Sequence, residues 1–118
     1  MPRVPSSSIY GTLNLLILKS LEDGPLHGLG VAEWIEHRSG ASLEIKEGAL
    51  YPALHRLRNA GLIEDEWAEA PSGRPAKFYA LTGAGREELG GEILRWRSHA
   101  GAVSRLLGLT AAAEALDG

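Results

Sequence analysis

A length of 118 residues corresponds to one small domain, so the chain is too short to hold two catalytic domains. With 44% hydrophobic and 23% charged residues, the composition predicts a folded protein with a packed core and excludes a disordered chain. The lack of cysteine excludes disulfides, thiolate zinc sites and a cysteine nucleophile, and the formal net charge of −3 excludes binding to polyanions through total charge alone.

The N-terminal sequence predicts a cytoplasmic protein. The longest apolar run, residues 15–18 (LLIL), is far shorter than the roughly 18 residues that a membrane-spanning helix needs. The N-terminus also lacks the basic region followed by an apolar segment that a secretory signal would have. Residues 1–8 contain two prolines and three serines, and this composition predicts a flexible arm whose last serine, Ser8, caps the first helix.

Apolar spacing predicts a first helix over residues 9–21. Leu15 and Leu18 fall on a second apolar face, and a domain of this size does not easily cover two faces with its own chain. We therefore expect a second subunit to contact Leu15 and Leu18. Gly24 and Pro25 end the helix. The first apolar face carries Ile9, Leu13, Leu16, Ile17 and Leu21.

A second helix is predicted over about residues 27–38. Ser39-Gly40 ends it, because glycine readily takes the left-handed conformation that terminates a helix. Residues 41–45 leave room for only a few residues of strand before the next helical pattern begins.

The third helix is defined by Leu50, Leu54 and Leu57, which share one helical face. A proline inside a helix removes a backbone hydrogen bond and clashes with the preceding turn. Pro52 therefore predicts that this helix begins near Ala49 or Leu50, which places the proline close to its first turn.

Residues 62–68 and 76–81 are rich in branched or aromatic residues and are separated by proline, serine and glycine. This pattern predicts a two-stranded hairpin with a long tip at residues 70–75. The hairpin is therefore the main β structure that the sequence predicts.

Thr82 is a suitable N-cap for a last helix that reaches about Leu109. The apolar residues of this helix repeat at steps of four and three, which is the spacing of a seam between paired helices. We expect the seam to form a dimer interface together with Leu15 and Leu18, and residues 111–118 to fray. The seam residues are Leu89, Ile93, Trp96, Ala100, Val103 and Leu107.

This order of elements predicts a mainly α fold with a small β-hairpin: a winged helix-turn-helix over residues 9–81, followed by a dimerisation helix over residues 82–110. In such a fold the third helix enters the major groove of DNA, while the hairpin, or wing, lies along the DNA backbone. The outward side of the third helix is basic and aromatic. Its residues, with the lysine before it, are Lys46, Tyr51, Pro52, His55, Arg56, Arg58 and Asn59.

Charge is segregated around the predicted wing. The wing tip carries Arg74 and Lys77 and has no acid between residues 71 and 77. An acidic total charge is therefore compatible with a basic face that binds DNA, although ordinary solvated charges are the alternative interpretation. The acids are concentrated in the strand before the tip, at Glu64, Asp65, Glu66 and Glu69.

Several segments of the chain resemble the PadR family of bacterial transcriptional regulators. They are residues 11–13 (GTL), 24–28 (GPLHG), 47–57 (EGALYPALHRL), 61–63 (GLI) and 77–82 (KFYALT). The resemblance extends from about residue 9 to residue 107, and the LYPALHRL run is its most specific part. It implies a dimeric repressor, and many relatives lose operator affinity when a small phenolic, aromatic or otherwise hydrophobic molecule binds.

The chain departs from the usual pattern of the family at several positions. Ala49 stands where threonine is common, Arg58 stands where an acid is common, and Pro75 replaces a basic residue of the wing. These differences do not change the predicted fold, but they prevent an operator sequence from being inferred from relatives.

We expect the two heads of the dimer to bind half-sites of a palindromic operator in double-stranded DNA. We expect Lys46, Arg74 and Lys77 to contact phosphates. Tyr51, His55 and Arg56 should face base edges. Ala49 or Pro52 is expected to contact thymine methyl groups. Alternatives are that Tyr51 packs with only its hydroxyl free and that Arg56 pairs with the acidic strand. The expected DNA contacts are Lys46, Ala49, Tyr51, Pro52, His55, Arg56, Arg74 and Lys77.

Asn14 and Trp96 are the candidate effector-binding residues, because residues at corresponding places line a pore at the dimer centre of some small relatives. The indole of Trp96 offers a flat face for stacking an aromatic molecule, and the amide of Asn14 can orient it. The alternative is that Trp96 belongs to the dimer core and Asn14 only fixes the pairing of helices.

The sequence predicts no catalytic residue, no metal site and no cofactor. Its histidines are scattered, at His27, His37, His55 and His99, and form no His-Glu-x-x-His motif. We therefore expect a protein that is not an enzyme. The competing hypothesis is a winged-helix module that binds a partner protein without reading DNA, and strong salt dependence of DNA binding would exclude it.

Overall fold

The computed structural model describes residues 12–109, which form four helices and a three-stranded antiparallel sheet. The order of elements confirms the predicted winged helix-turn-helix followed by a long helix. The helices are α1 (Leu13–Ser20), α2 (Gly28–Arg38), α3 (Glu47–Asn59) and α4 (Gly83–Leu106). The strands are β1 (Leu26–His27), β2 (Ile63–Glu69) and β3 (Pro75–Leu81).

The sheet has one strand more than the predicted hairpin. Strand β3 lies between β2 and β1, and β2 pairs with β3 along its whole length. At the other edge Leu26 pairs with Tyr79, and His27 pairs with Phe78. A strand of two residues is too short to show alternation in the sequence, so only the fold, which brings β1 beside β3, reveals it. Residues 41–45, which leave room for a short strand, contain none.

Helix α3 begins earlier than predicted, at Glu47 instead of near Ala49 or Leu50. Pro52 lies inside the helix, where its ring nitrogen cannot donate to the carbonyl four residues earlier. The helix tolerates the loss of that one hydrogen bond because the backbone N–H groups of Ala49 and Leu50 already close its first turn on the carbonyl of Lys46, each at 3.0 Å.

A single core is formed by α1, α2, α3, the inner face of the sheet and the start of α4. Leu18 is completely buried in it and Leu89 is 3% exposed. The prediction that these two residues contact a second subunit is therefore wrong, because α1 packs against all three other helices and both of its apolar faces are used within one chain. Leu15, from the same predicted interface, is only half-buried. The largest fully buried side chains are Ile17, Leu18, Leu21, Val31, Leu50, Leu54 and Ile63.

The predicted arm at residues 1–8, with its Ser8 cap, and the predicted tail at residues 111–118 lie outside the described residues. The same holds for residues 9–11 of the first predicted helix, which is described from Leu13 onwards. Between residues 12 and 109, none of the helices has the length and apolar character required to cross a lipid bilayer.

Thr82 joins the wing to α4 and is the N-cap of that helix, as predicted. Its hydroxyl accepts a hydrogen bond from the backbone N–H of Gly85 at 3.0 Å and donates one to the carbonyl of Gly61 at 2.7 Å. The backbone N–H of Thr82 donates to the carbonyl of Leu62 at 3.1 Å. Gly85 faces this carbonyl so closely that a Cβ atom would overlap with it. These contacts fix the direction in which α4 leaves the wing.

Replacing Gly85 by alanine tests this junction. The added methyl group would meet the backbone carbonyl of Leu62, which cannot rotate away as a side chain can. We expect the free energy of unfolding to fall by about 1–3 kcal/mol in urea denaturation followed by circular dichroism, because overpacking at a rigid contact forces the backbone to shift.

The matched control for this substitution is Gly83→Ala, because a Cβ at Gly83 would meet nothing within 4 Å. Alanine in the first turn of a helix reduces the entropy of the unfolded chain, so this variant should be as stable as the original protein or slightly more stable. Equal stability of the two variants would contradict the close packing of Gly85 against Leu62.

Candidate nucleic-acid interface

The burial of one side of α3 determines which of its residues face solvent. Leu50, Leu54 and Leu57 are at most 3% exposed, and Ala53 is completely buried. Positions three and four residues apart share a helix face, so the remaining positions must point away from the core. That outward face carries the exposed residues Tyr51, Pro52, His55, Arg56 and Asn59.

Tyr51 lies where α3 meets the N-terminus of α2. A Cβ atom at Gly28 would lie 2.8 Å from both Cε1 and the hydroxyl of Tyr51, so the ring packs on a position that only glycine leaves open. Tyr51 nevertheless remains 38% exposed. The hydroxyl is thus among the packed atoms and is not the one free part of the side chain, and the contact of Tyr51 with base edges stays a prediction. Of the residues expected at thymine methyl groups, Pro52 is exposed and Ala49 is half-buried.

An ion pair joins α3 to the acidic strand, but Arg58 makes it and Arg56 does not. The guanidinium Nη1 of Arg58 lies 3.1 Å from Oδ2 of Asp65 and donates a hydrogen bond to it. Arg56 is exposed and makes no ion pair with any residue between 12 and 109. Its guanidinium is therefore available on the outward face of the helix.

Asp65 lies on strand β2 of the wing and also pairs with a cation of strand β3, because Nζ of Lys77 lies 3.5 Å from the same Oδ2 atom. The hydrogen bond from Arg58 lowers the pKa of Asp65; partial burial opposes this shift, and the positive charge of Lys77 adds to it. Behind the pair, burial raises the pKa of Tyr79, and the negative charge of Asp65 raises it further. One carboxylate thus binds a cation from α3 and a cation from the wing.

The three residues expected at phosphates lie in different surroundings. Arg74 is exposed at the wing tip. Lys77 is shared between Asp65 and the indole of Trp67, whose ring centre lies 5.7 Å from its Nζ atom. Lys46 is exposed at the N-cap of α3, but it borders a cleft that is also lined by glutamates. Those glutamates are Glu33, Glu36, Glu44 and Glu47.

A cleft of about 300 Å³ separates the outward face of α3 from the wing. Trp67, 67% exposed, stands at its wing side, a position at which sequence reasoning found no functional residue. The signal was available in the strand period, because Trp67 lies four residues after the buried Ile63 and so shares its face of β2. The cleft is lined by His27, Gly28, Leu29, Tyr51, His55, Trp67, Ala76, Lys77 and Tyr79.

The candidate effector residues lie on α1 and α4, outside this cleft. Asn14 is exposed and makes no hydrogen bond within residues 12–109. Trp96 is 48% exposed, and its ring centre lies 6.1 Å from that of His99. Within one chain the structure therefore does not join Asn14 to Trp96. Of the other predicted seam residues, Ile93 and Ala100 are half-buried, whereas Val103 and Leu107 are exposed.

The sequence profile of the Transcriptional regulator PadR-like family matches residues 17–91, which include α2, α3, the wing and the beginning of α4. The chain belongs to this family. Membership of a family of transcriptional regulators supports the prediction that the protein is not an enzyme. Because members of this family regulate transcription, the exposed face of α3 is a candidate surface for binding DNA.

Individual relatives agree with this PadR-like assignment. Transcriptional regulator Rv3488 of Mycobacterium tuberculosis is 32% identical over 97 residues, covering 74% of this chain and 87% of that protein. A PadR family transcription regulator of Clostridium difficile has a similar structure, with a TM-score of 0.70, 30% identity and coverage of 82% of this chain and 99% of that one. The structure of Bacillus subtilis PadR in complex with operator DNA matches with a TM-score of 0.62 and 27% identity, covering 70% of this chain and 47% of that one.

The Asp65 ion pairs predict a pH-dependent contribution to stability. The pKa of Asp65 in the folded protein lies below its ordinary value of 3.8. The ion pairs therefore stabilise the fold above that ordinary value, and this contribution is lost as the pH falls through the lower folded value. At pH 7, we expect the free energy of unfolding of Asp65→Asn to be lower by about 0.2–1 kcal/mol, as for other partly exposed pairs.

Urea denaturation at pH 7 and at about pH 2 measures this effect, since the stabilisation by ionised Asp65 is lost as the pH falls below its ordinary pKa and the difference between the two proteins should be smaller at the lower pH. Glu64→Gln is the control, because Glu64 makes no ion pair with the described residues and its replacement removes the same formal charge. A stability difference for Asp65→Asn that is the same at both pH values would contradict the assignment.

Proposed function

We propose that this PadR-like regulator is a dimeric repressor that inserts α3 into the major groove of a palindromic operator. The observation that carries the proposal is the exposed face of α3, which carries Tyr51, His55 and Arg56. Tyr51 and His55 line the same cleft as Lys77 of the wing. Side chains of these types can donate to base edges or pack on them. The similarity to Bacillus subtilis PadR, whose structure is a complex with operator DNA, supports the binding of an operator.

Phosphate contacts would come from residues at the ends of this face. Lys46 precedes α3 and Arg74 lies at the wing tip, so both are exposed at the periphery of the α3 face. Lys77 lies between them, in the cleft beside α3. Contacts to phosphates position a protein on DNA, whereas contacts to bases determine which sequence it prefers. We therefore propose that these three cations position the protein along the DNA and that α3 determines which base sequence the protein prefers.

The exposed apolar residues of α4 support the dimer. This helix has 24 residues and a length of about 36 Å at 1.5 Å per residue, yet only Gly85 and Leu89 in it are buried. Leu94 is 65% exposed, Leu106 88% and Leu107 66%. A helix that leaves large apolar side chains in water along most of its length is stabilised when another helix covers them. We assign that role to α4 of a second copy, with Leu15 of α1 at the edge of the interface.

The effector hypothesis follows from this dimer. Trp96 presents almost half of its surface on α4, and the amide of Asn14 on α1 is exposed and makes no hydrogen bond with residues 12–109. A flat aromatic molecule held there would lower operator affinity only if it binds more tightly to a dimer whose two α3 helices are wrongly spaced for DNA. An effector with equal affinity for the free and the DNA-bound dimer would exclude this mechanism.

An electrophoretic mobility shift with DNA from upstream of the protein's own gene tests the function. At about 0.15 M salt, with scrambled competitor in excess, a retained shift would show sequence-specific binding. If this DNA gives no shift, selection from a pool of genomic fragments repeats the test without assuming autoregulation. Failure of both, or binding that does not weaken with salt, would favour a winged-helix module that binds a protein partner.

Arg56→Ala should weaken operator binding by about 1–3 kcal/mol, or roughly tenfold to 150-fold, because the variant loses a donor pair to a base edge. Arg105→Ala is the control with the same change in charge, since Arg105 is exposed near the end of α4, away from the wing. The loss should also be smaller for operators altered at the base that Arg56 reads. Equal affinities of the two variants would remove Arg56 from the set of base-reading residues.

Trp96→Ala should abolish the quenching of tryptophan fluorescence by planar aromatic molecules, because stacking on the indole brings the quencher into contact with it. The titration is repeated with Trp34→Phe and Trp67→Phe, which should keep the quenching. Sedimentation of each variant checks that the dimer is intact. Quenching that survives in Trp96→Ala would place the aromatic molecule elsewhere.

A further inference from the structure

Asp65 is an acid placed inside a basic face. Its Oδ2 atom lies 3.1 Å from Nη1 of Arg58 on α3 and 3.5 Å from Nζ of Lys77 on the wing. Its side chain is 20% exposed, whereas those of Arg58 and Lys77 are 34% and 36% exposed, so solvent, and therefore a phosphate group, can reach both cations. The carboxylate therefore neutralises part of the positive charge of both cations.

Trp67 holds Lys77 from a second side. Trp67 and Lys77 are directly opposite each other in the β2–β3 register, and Asp65 lies on the same face of β2 two residues earlier. The ammonium group lies 5.7 Å from the indole ring centre, within the range of a cation–π interaction. Asp65 and Trp67 together keep Lys77 inside the cleft beside α3, away from the wing tip where Arg74 is exposed.

The neighbouring acids of β2 do not share this arrangement. Glu64 and Glu66 are exposed on the opposite face of the strand, which does not face α3. Glu69 shares the face of Asp65, but it lies at the wing tip and makes no ion pair within residues 12–109. Of these acids, only Asp65 contacts the cations of the interface.

We infer that Asp65 limits binding to non-operator DNA by keeping Lys77 and Arg58 paired until an operator is bound. A DNA phosphate that binds Lys77 must displace the carboxylate of Asp65, so this contact adds less affinity than a contact with an unpaired lysine would. At an operator, contacts between α3 and the bases compensate for the lost ion pair. On other DNA these base contacts are absent, so the loss of the ion pair is not compensated. Asp65 is thus a positioning residue that increases sequence specificity, and the inference rests on the proposed binding of DNA by α3 and the wing.

The first experiment measures affinity for a duplex of arbitrary sequence as a function of salt, with Asp65→Asn and Glu64→Gln compared. Both variants remove one negative charge, but only Asp65→Asn releases the two cations. We expect Asp65→Asn to bind about five- to tenfold more tightly at about 0.1 M salt, and its salt slope to steepen by about 0.9 per subunit, as for one additional phosphate contact. Glu64→Gln should change both quantities much less.

The second experiment tests whether the gain passes through Lys77. Lys77→Gln should cost more affinity for the same duplex in the Asp65→Asn background than in the original protein, because the lysine is released only there. Affinity for an operator fragment should change less than affinity for the arbitrary duplex, so the ratio of the two should fall in Asp65→Asn. Circular dichroism confirms that each variant is folded. If Asp65→Asn unfolds, Arg58→Gln provides the second test with the opposite expectation: it leaves the carboxylate of Asp65 to Lys77 alone, so Lys77→Gln should cost no more affinity in that background than in the original protein.

Several outcomes would overturn the inference. Equal affinities and salt slopes of Asp65→Asn and Glu64→Gln would show that only the total charge matters. An equal cost of Lys77→Gln in both backgrounds would show that Asp65 does not restrain the lysine. Either result leaves the proposed function intact, provided that the original protein still prefers its operator. If neither the original protein nor any variant binds duplex DNA, both the proposed function and this inference are wrong.

Discussion

The burial of the leucine face of α3 is the constraint on which the rest of the interface depends. Leu50, Leu54 and Leu57 contribute to the core with almost no exposed surface, and complete burial of such side chains stabilises a fold by about 1.5–3 kcal/mol each. Rotating α3 about its axis to present other residues would expose these leucines. The same contacts that hold α3 in the core therefore decide that Tyr51 and Arg56 face outward.

The interface joins helix α3 to the wing, and ion pairs through Asp65 hold the two elements together. Arg58 reaches from the end of α3 to Asp65, and Lys77 reaches the same carboxylate from β3. Aromatic packing adds to it, because Gly28 leaves room for the ring of Tyr51 and Trp67 faces Lys77 across the wing.

The long helix α4 has a different role in the energetics. Its first turn is held by Thr82 and packs against Leu62, and Leu89 is its last residue that is fully buried. Beyond Leu89, Ile93 is half-buried against the core, and most of the apolar side chains that follow it face solvent. The free energy that a helix gains from its own propensity is small, and this is why we propose that a second copy covers the exposed part of α4.

The sequence by itself determined the order of elements, the inward face of α3, the wing and the N-cap at Thr82, because each depends on local periodicity or on local hydrogen bonding. It could not show β1, whose two residues carry no period, nor that α1 would use both apolar faces within one chain and bury Leu18. Nor could it choose between Arg56 and Arg58 as the partner of the acidic strand, since both lie on the same helix near that strand. Only tertiary structure decided these points, because each depends on how the elements pack against one another and not on local periodicity.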